Sequence, residues 1–502
     1  MQLVKKYFLR HPVRTQRALE VLPGLFSWSL VLFPVWGSFL CPELVAYYVI
    51  AFTVYWLYRS AVMAVLAVMA HFRLQASRRH DWIGDLESTF GKKYRQIHHL
   101  IIIPTYTEPL GTLERTLDRL AEQSFPRENL HIMIAFEQRG GESAREKSRQ
   151  LKRKYAHTFG HLWTSFHPDI AGEIKGKSSN NAWGGRLAKK KLIDELGLPI
   201  DKVTITSEDA DAIFHHHYFS ALTYDFLSLP RAERFNTTWQ GSIVFYNNIW
   251  KVPAAIRVLG AMFSVNQMYI LMRADRLINF STYSTSLKHM NAIGFWDTDV
   301  IPEDYRFFFK SFFAKQGNFT VRPVFLPIYA DMPETETFWG TMINQYEQLK
   351  RWAWGVSDDA YIIKQFIIHD EINFSDRFLR VLKVVEDHFL WPVNWFAITI
   401  SALLPPLLNQ EFNRTTLGKT LPQVSSFLLT LALVSLVTII IIDAANRPEP
   451  PHKRTLWSWV KQPLEFILFP VLGFFFTALP GLDAHTRLML GKYMEYKVTK
   501  KV

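Results

Sequence analysis

Two short clusters of acids carry the strongest chemical signal in this chain. Asp209-Ala210-Asp211 closes the run KVTITSEDAD (202–211), so two carboxylates stand one residue apart at the end of a strand-like stretch. Carboxylates so placed reach one hard divalent cation, Mg2+ or Mn2+, or one cation and a ribose. An ion held there bridges diphosphate oxygens and stabilises a departing nucleotide. Such acid pairs are common, and Asp297-Thr298-Asp299 is another; the strand context sets Asp209 and Asp211 apart. The second cluster is Ile301-Pro302-Glu303-Asp304-Tyr305-Arg306, just ahead of the aromatic run RFFFKSFF, where an acid suits a general base.

Cations complement these acids. Gly176-Lys177-Ser178-Ser179-Asn180-Asn181 is a small-residue loop before a helical stretch, and a helix N-terminus with a lysine favours a phosphate. It lacks the spacing of a Walker loop. Gln348-Leu349-Lys350-Arg351-Trp352 offers a guanidinium fork for phosphate and an indole face for a sugar ring. The His215-His216-His217 run reads as the opening of the next helix rather than as a metal cluster.

These residues need an α/β framework. The segments 98–106 (HHLIIIPTY) and 129–137 (NLHIMIAFE) read as strands, with a helical spacing at 110–123 between them. Strands alternating with helices predict a mainly parallel sheet, whose ligands sit at the carboxyl ends of the strands. Thr105, Tyr106, Glu108, Glu137 and the acids 208–211 fall at those ends.

Around this domain the chain is apolar. Of its 502 residues 49% are hydrophobic, including 39 Phe and 16 Trp, and the net charge is +12. A single cysteine, Cys41, excludes an internal disulfide and any Cys-based zinc site. A helix needs about 20 apolar residues to cross a hydrocarbon core of about 30 Å. The stretches 21–42, 44–62, 389–409 and 421–442 meet that length, which predicts four spans in two pairs. Basic residues at the N-terminus, at Arg73, Arg78 and Arg79, and in the loop 452–454 place the middle region on the cytoplasmic side. The apolar stretch 463–480 contains Pro470, and a fifth crossing would put the basic tail outside, so it reads as interfacial or re-entrant. The expected organisation is therefore 1–70 (basic N-terminus and two spans), 71–365 (cytoplasmic α/β domain), 366–388 (amphipathic helix), 389–443 (two spans) and 444–502 (cytoplasmic or interfacial). Membrane-proximal loops and phosphate-binding groups account for the positive charge, leaving no case for nucleic acid.

In order, P-T-Y-T-E (104–108), G-K-x-x-N (176–180), D-A-D (209–211), P-E-D (302–304) and Q-x-x-R-W (348–352) resemble glycosyltransferase family 2, in its membrane-integrated branch of cellulose, chitin and hyaluronan synthases. The tail Tyr496-Lys497-Val498-Thr499-Lys500-Lys501 looks like the F-x-V-T-x-K gating loop of cellulose synthases, with Tyr for Phe. The resemblance implies a multi-pass membrane protein with a GT-A-type nucleotide-sugar domain inserted between transmembrane helix pairs. It further implies inverting transfer from a nucleotide-diphosphate sugar, with UDP the expected nucleotide. By that resemblance Asp304 is the base with Glu303 beside it, Asp209 and Asp211 hold donor and metal, and Arg351, Thr499 and Lys501 join Lys177 on the diphosphate. Gln348 and Trp352 bind the acceptor, whose path Tyr283, with Ser281, Thr282 and Ser284, lines.

Two departures stand out: P-E-D replaces the family's T-E-D, and Glu137 stands where Asp usually contacts the base, which leaves the donor's identity open. The leading expectation is a processive polysaccharide synthase in the plasma membrane, with accessory export subunits as possible partners. The rival is transfer of one sugar to a lipid acceptor, a polyprenyl phosphate or ceramide; an inactive membrane scaffold is the outside alternative.

Overall fold

The computed structural model describes residues 2–451, 456–496 and 499; the loop 452–454 and Lys501 lie outside them. Among the described residues eight strands form one mixed sheet: β1 (His98–Thr105), β2 (Leu130–Glu137), β3 (His161–His167), β4 (Val203–Ser207), β5 (Ile213–Phe214), β6 (Thr237–Val244), β7 (Tyr283–Ser286) and β8 (Thr320–Tyr329). Their order is β3-β2-β1-β4-β7-β6-β8-β5. β1 to β4 are mutually parallel where they pair, and β7 runs antiparallel between β4 and β6.

β1 is buried along nearly its whole length because helices cover both faces of the sheet. Alternation assigns its side chains. Ile101 and Ile103 pack with Leu113, Leu117 and Leu120, the buried stripe of the Leu110–Ala121 helix. Leu100 and Ile102 pack on the other face with Ala182 and Ala188 of the Lys177–Lys189 helix. Each buried Ile or Leu contributes roughly 1.5–3 kcal/mol. The two faces thereby fix β1 and β4 in register, with Ile102 beside Ser207, so that β1 runs three residues past the end of β4.

Among the described residues five helical runs are long and apolar enough to cross a membrane: Pro12–Leu40, Pro42–Arg79, Ala254–Leu271, Thr416–Asn446 and Val460–Met489. The first two form the expected hairpin at Cys41, but the second runs far beyond residue 62. Its Ala67, Ala70 and Leu74 join the core beneath the sheet. Thr416–Asn446 lies parallel to it, with Leu421 packed near Val45 and Val49 and Asn446 bonded to His71. Ala254–Leu271 is more than half buried and packs on the sheet, which accounts for its apolar character.

The expected amphipathic helix 366–388 and third span 389–409 are differently divided. One helix, Phe374–Thr399, covers parts of both, and it ends before Leu404–Leu408, a short helix opening on two prolines. That shortened run is not among the five. The stretch 463–480, by contrast, belongs to a run long enough to cross, interrupted by a 3₁₀ turn at Glu465–Leu468 and a π turn at Phe474–Ala478. Pro463, Pro470 and Pro480 explain the interruptions, since each removes a backbone donor. Near its start Glu465 makes a two-pronged pair with Arg257 of the α/β domain at 2.8 Å. Beyond its end the chain returns to that same domain at Gly176 and Arg351.

Candidate active site

The carboxyl end of β1 turns sharply into Tyr106-Thr107-Glu108. The Glu108 carboxylate accepts from the Thr105 hydroxyl at 2.8 Å and from the Tyr106 N–H at 2.7 Å, which holds the turn closed. Next to it, β2 ends in buried Glu137, paired with Arg139 Nε at 2.5 Å. The Arg139 guanidinium lies 3.9 Å over the Tyr106 ring. An aromatic face, a carboxylate and a guanidinium thus share one wall. Sequence reasoning missed Arg139, whose only signal was its place two residues past the strand-end acid.

At the end of β4 the acids meet their partners. Lys177, almost buried at the start of its helix, reaches Asp209 at 2.6 Å, Glu303 at 2.9 Å and the Ser281 carbonyl at 2.5 Å. Burial alone would lower the lysine's pKa, but the two carboxylates together raise it above the usual lysine range. Burial pushes Glu303 up to about 7, with Asp304 and Asp209 adding to the rise and Lys177 opposing it. Asp304 takes the Ser281 N–H on one oxygen at 2.8 Å and the Tyr305 N–H on the other at 2.9 Å. Burial raises its pKa as well, against those backbone donors.

Ser281 ties the cluster together. Its N–H donates to Asp304, its carbonyl accepts from Lys177, and its hydroxyl donates to Asp209. It does so at φ +39°, a left-handed backbone rare outside glycine. Local strain of this kind persists only where the surroundings over-determine it, and it gathers at functional sites. The sequence placed Ser281 among hydroxyls lining a path; here all three of its polar groups organise the acids.

Asp211 accepts the Asp331 N–H at 2.9 Å, and Asp331 pairs with Arg115 at 2.6 Å. Neither Asp331 nor Arg115 carried a sequence signal. Glu208, between β4 and these acids, is fully buried, and its carboxylate oxygens have no hydrogen-bond partner among the described residues. Burial first, then Asp209 and Asp211, push its pKa well above the usual carboxylate value.

The Q-x-x-R-W motif sits on the Phe338–Ala353 helix. Arg351 donates to the Thr499 hydroxyl at 2.8 Å and lies 5.0 Å from the Tyr496 ring. Tyr496 in turn covers Gly176, where a Cβ would stand 2.6 Å from the ring. The tail therefore bridges Arg351 and the Lys177 loop. Gln348 is buried and accepts from Gln345 at 3.3 Å. Trp352 packs against Phe245 and Phe263.

Tyr283 is fully buried, stacks on Phe307 and accepts from the Trp296 indole at 2.6 Å. Its place on β7, inside the sheet, is the reason. Asp297 is likewise absorbed, by Lys310 and Arg306. The rings of the three consecutive histidines crowd together at the start of the Tyr218–Ser228 helix. Among the described residues no three His, Cys, Asp or Glu side chains form a metal-holding group.

No protein-family model and no curated protein matches this chain. Among solved structures, the mannosyltransferase PcManGT from Pyrobaculum calidifontis, in complex with GDP-Man and Mn2+, is similar with 13% identity and a TM-score of 0.40, covering 74% of this chain and 99% of that one. S. aureus TarS 1-349 in complex with UDP-GlcNAc is similar with 11% identity and a TM-score of 0.34, covering 79% and 93%. GalNAc-T7 with UDP, GalNAc and Mn2+ shows 12% identity and a TM-score of 0.33, covering 61% and 56%. At TM-scores this low the functional reading rests on the site itself.

Proposed function

We propose that this chain is a membrane-embedded glycosyltransferase of GT-A type, which transfers a sugar from a nucleotide-diphosphate donor with inversion at the anomeric carbon. The observation that carries the reading is the junction in which Lys177 joins Asp209 to Glu303 while Ser281 joins both Lys177 and Asp209 to Asp304. Cation, strand-end acids and a separate carboxylate are what a diphosphate leaving group and a hydroxyl nucleophile require.

In this reading Tyr106, Glu137 and Arg139 hold the nucleoside, with Thr105 and Glu108 shaping the turn beneath it. Asp209 and Asp211 are hard oxygen donors of the kind Mg2+ and Mn2+ take, and diphosphate and water would complete such an ion's ligands. When bound, the ion neutralises charge on the departing diphosphate. Lys177 and Arg351 stabilise the same charge from the protein side. Asp304 removes the proton from the acceptor hydroxyl, whose oxygen attacks the anomeric carbon as the bond to the diphosphate breaks. Glu303 keeps Lys177 in place beside the leaving group.

The acceptor in this proposal is a growing polysaccharide and the location a plasma membrane, with the α/β domain cytoplasmic. The tail that joins Arg351 to the Lys177 loop supports the synthase reading, because it covers the donor side of the site. Detergent-purified protein offered UDP- and GDP-sugars with Mg2+ or Mn2+, with products sized, tests it. Nucleotide release with a polymer ladder is expected. Release with one sugar on a lipid would overturn the polymer, and silence with every donor and with added membrane lipid would overturn the transferase.

A further inference from the structure

A second basic site lies at the opposite end of the sheet. A cavity of about 290 Å³ opens where β1, β4 and β6 begin, lined by Ile97, Lys202 and Phe235 just ahead of those strands. Lys93, Arg231 and Arg234 also line it, and Asp201 is its one acid. Four cations against one carboxylate leave a net charge of about three positive units around one concave space. β4 and its following turn carry the chain from Lys202 to Asp209, about 20 Å at 3.3 Å per residue. The cavity is thus separate from the donor site.

The cations are only partly spoken for. Arg231 pairs with Asp201 at 2.5 Å, and Lys202 donates to Gln96 at 2.6 Å. Arg234 donates to the Leu227 and Leu229 carbonyls, at 2.6 and 2.8 Å, which fixes its guanidinium without neutralising it. Burial, then the nearby Arg231, lower its pKa against the opposing pull of Asp201. Leu227 and Phe235 give the cavity an apolar side, which strengthens electrostatic attraction to whatever enters.

We propose that this cavity binds a small phosphate-bearing anion, at a site independent of the donor site and of whether the chain transfers sugar. Its dimensions suit a phosphate or diphosphate group, and its fixed guanidinium, flanked by Lys93 and Lys202, suits phosphate oxygens. The ligand is either a soluble phosphorylated metabolite or a lipid headgroup of the same chemistry.

The test is calorimetric titration of the full-length protein with inorganic pyrophosphate, without divalent metal. Wild type, Lys93→Gln/Arg231→Gln and Arg351→Gln are compared, with thermal melts to establish that each is folded. The expected result is a cavity binding event at least tenfold weaker in Lys93→Gln/Arg231→Gln and within twofold of wild type in Arg351→Gln, whose weaker binding at the donor site is fitted as a separate event. Equal affinity in all three proteins, loss in Arg351→Gln alone, or no binding to wild type would overturn the proposal. If Lys93→Gln/Arg231→Gln melts early, Lys93→Gln alone is used, with a threefold loss expected and no loss overturning the site. Repeating the titration in nanodiscs of phosphatidylcholine, with and without phosphatidic acid, separates the sources. Competition by phosphatidic acid supports the site as a headgroup site; unchanged affinity supports it as a site for a soluble phosphate.

Discussion

Replacing Asp304 by Asn removes the proposed base while keeping its shape. Both carboxylate oxygens accept backbone N–H groups, from Ser281 at 2.8 Å and Tyr305 at 2.9 Å, so the Asn amide must turn its NH2 toward one donor. That mismatch costs about 1–3 kcal/mol of stability. Loss of a general base costs about 10²–10⁴ in rate, or roughly 3–5 kcal/mol of barrier. The assay is initial-rate nucleotide release by purified protein, with KM for the donor measured alongside. A fall in kcat of at least a hundredfold with donor KM within threefold is expected. Glu303→Gln is the control, because Glu303 is held on Lys177 and stands near half-protonation at neutral pH. About a tenfold loss is expected there. If Glu303→Gln loses a thousandfold while Asp304→Asn stays within tenfold of wild type, the base is Glu303 and the reasoning fails.

Lys177→Met leaves Asp209 and Glu303 without their shared cation, so donor KM should rise at least tenfold, measured by the same nucleotide-release assay. Glu303 also sets a pH dependence. Its folded pKa of about 7 lies above its unfolded value, so the native state keeps a proton that the unfolded chain has lost. Stability should therefore fall by about 3 kcal/mol as pH rises from 4.5 through 7, and melts of Glu303→Gln should be flatter over that window. Gly176→Val drives a side chain into the Tyr496 ring; kcat/KM should drop at least tenfold, and adding Tyr496→Ala should restore part of it. Gly473→Ala places a Cβ 2.1 Å from the Trp395 ring, an overpacking worth about 1–3 kcal/mol, seen as a lower melting temperature in detergent.

What the sequence made legible was the part written in local pattern. The strands 98–106 and 129–137 announced themselves as apolar runs, and the structure has them as β1 and β2 within a residue or two. The helix between them followed from its spacing, because its stripe is amphipathic. The acids that the structure brings together around Lys177 and Ser281 stood out in the sequence too, since carboxylates at a strand's end have few structural uses. Ser281 and Arg139 were not read this way. A serine's left-handed backbone leaves no trace in residue type, and an arginine two positions past a strand looks like any surface arginine.

Hydropathy reached its limit where protein and lipid are equally apolar. Ala254–Leu271 and Val460–Met489 are both long and apolar, yet the first is covered by the sheet's own core. Residues 389–409 counted as a span by composition, but the helix there stops at Thr399, with Pro405 and Pro406 close behind. A window of apolar residues records what a segment avoids, namely water, and not which apolar surroundings receive it. Position in the fold decides that, through contacts such as Glu465 on Arg257 and Trp395 on Gly473, which no window of composition contains. Those same contacts hold the run 460–489 against the domain and deliver Tyr496 and Thr499 to Gly176 and Arg351. The geometry of the tail, and with it the contact of Tyr496 on Gly176, thus depends on helices whose sequence signal concerns only the membrane.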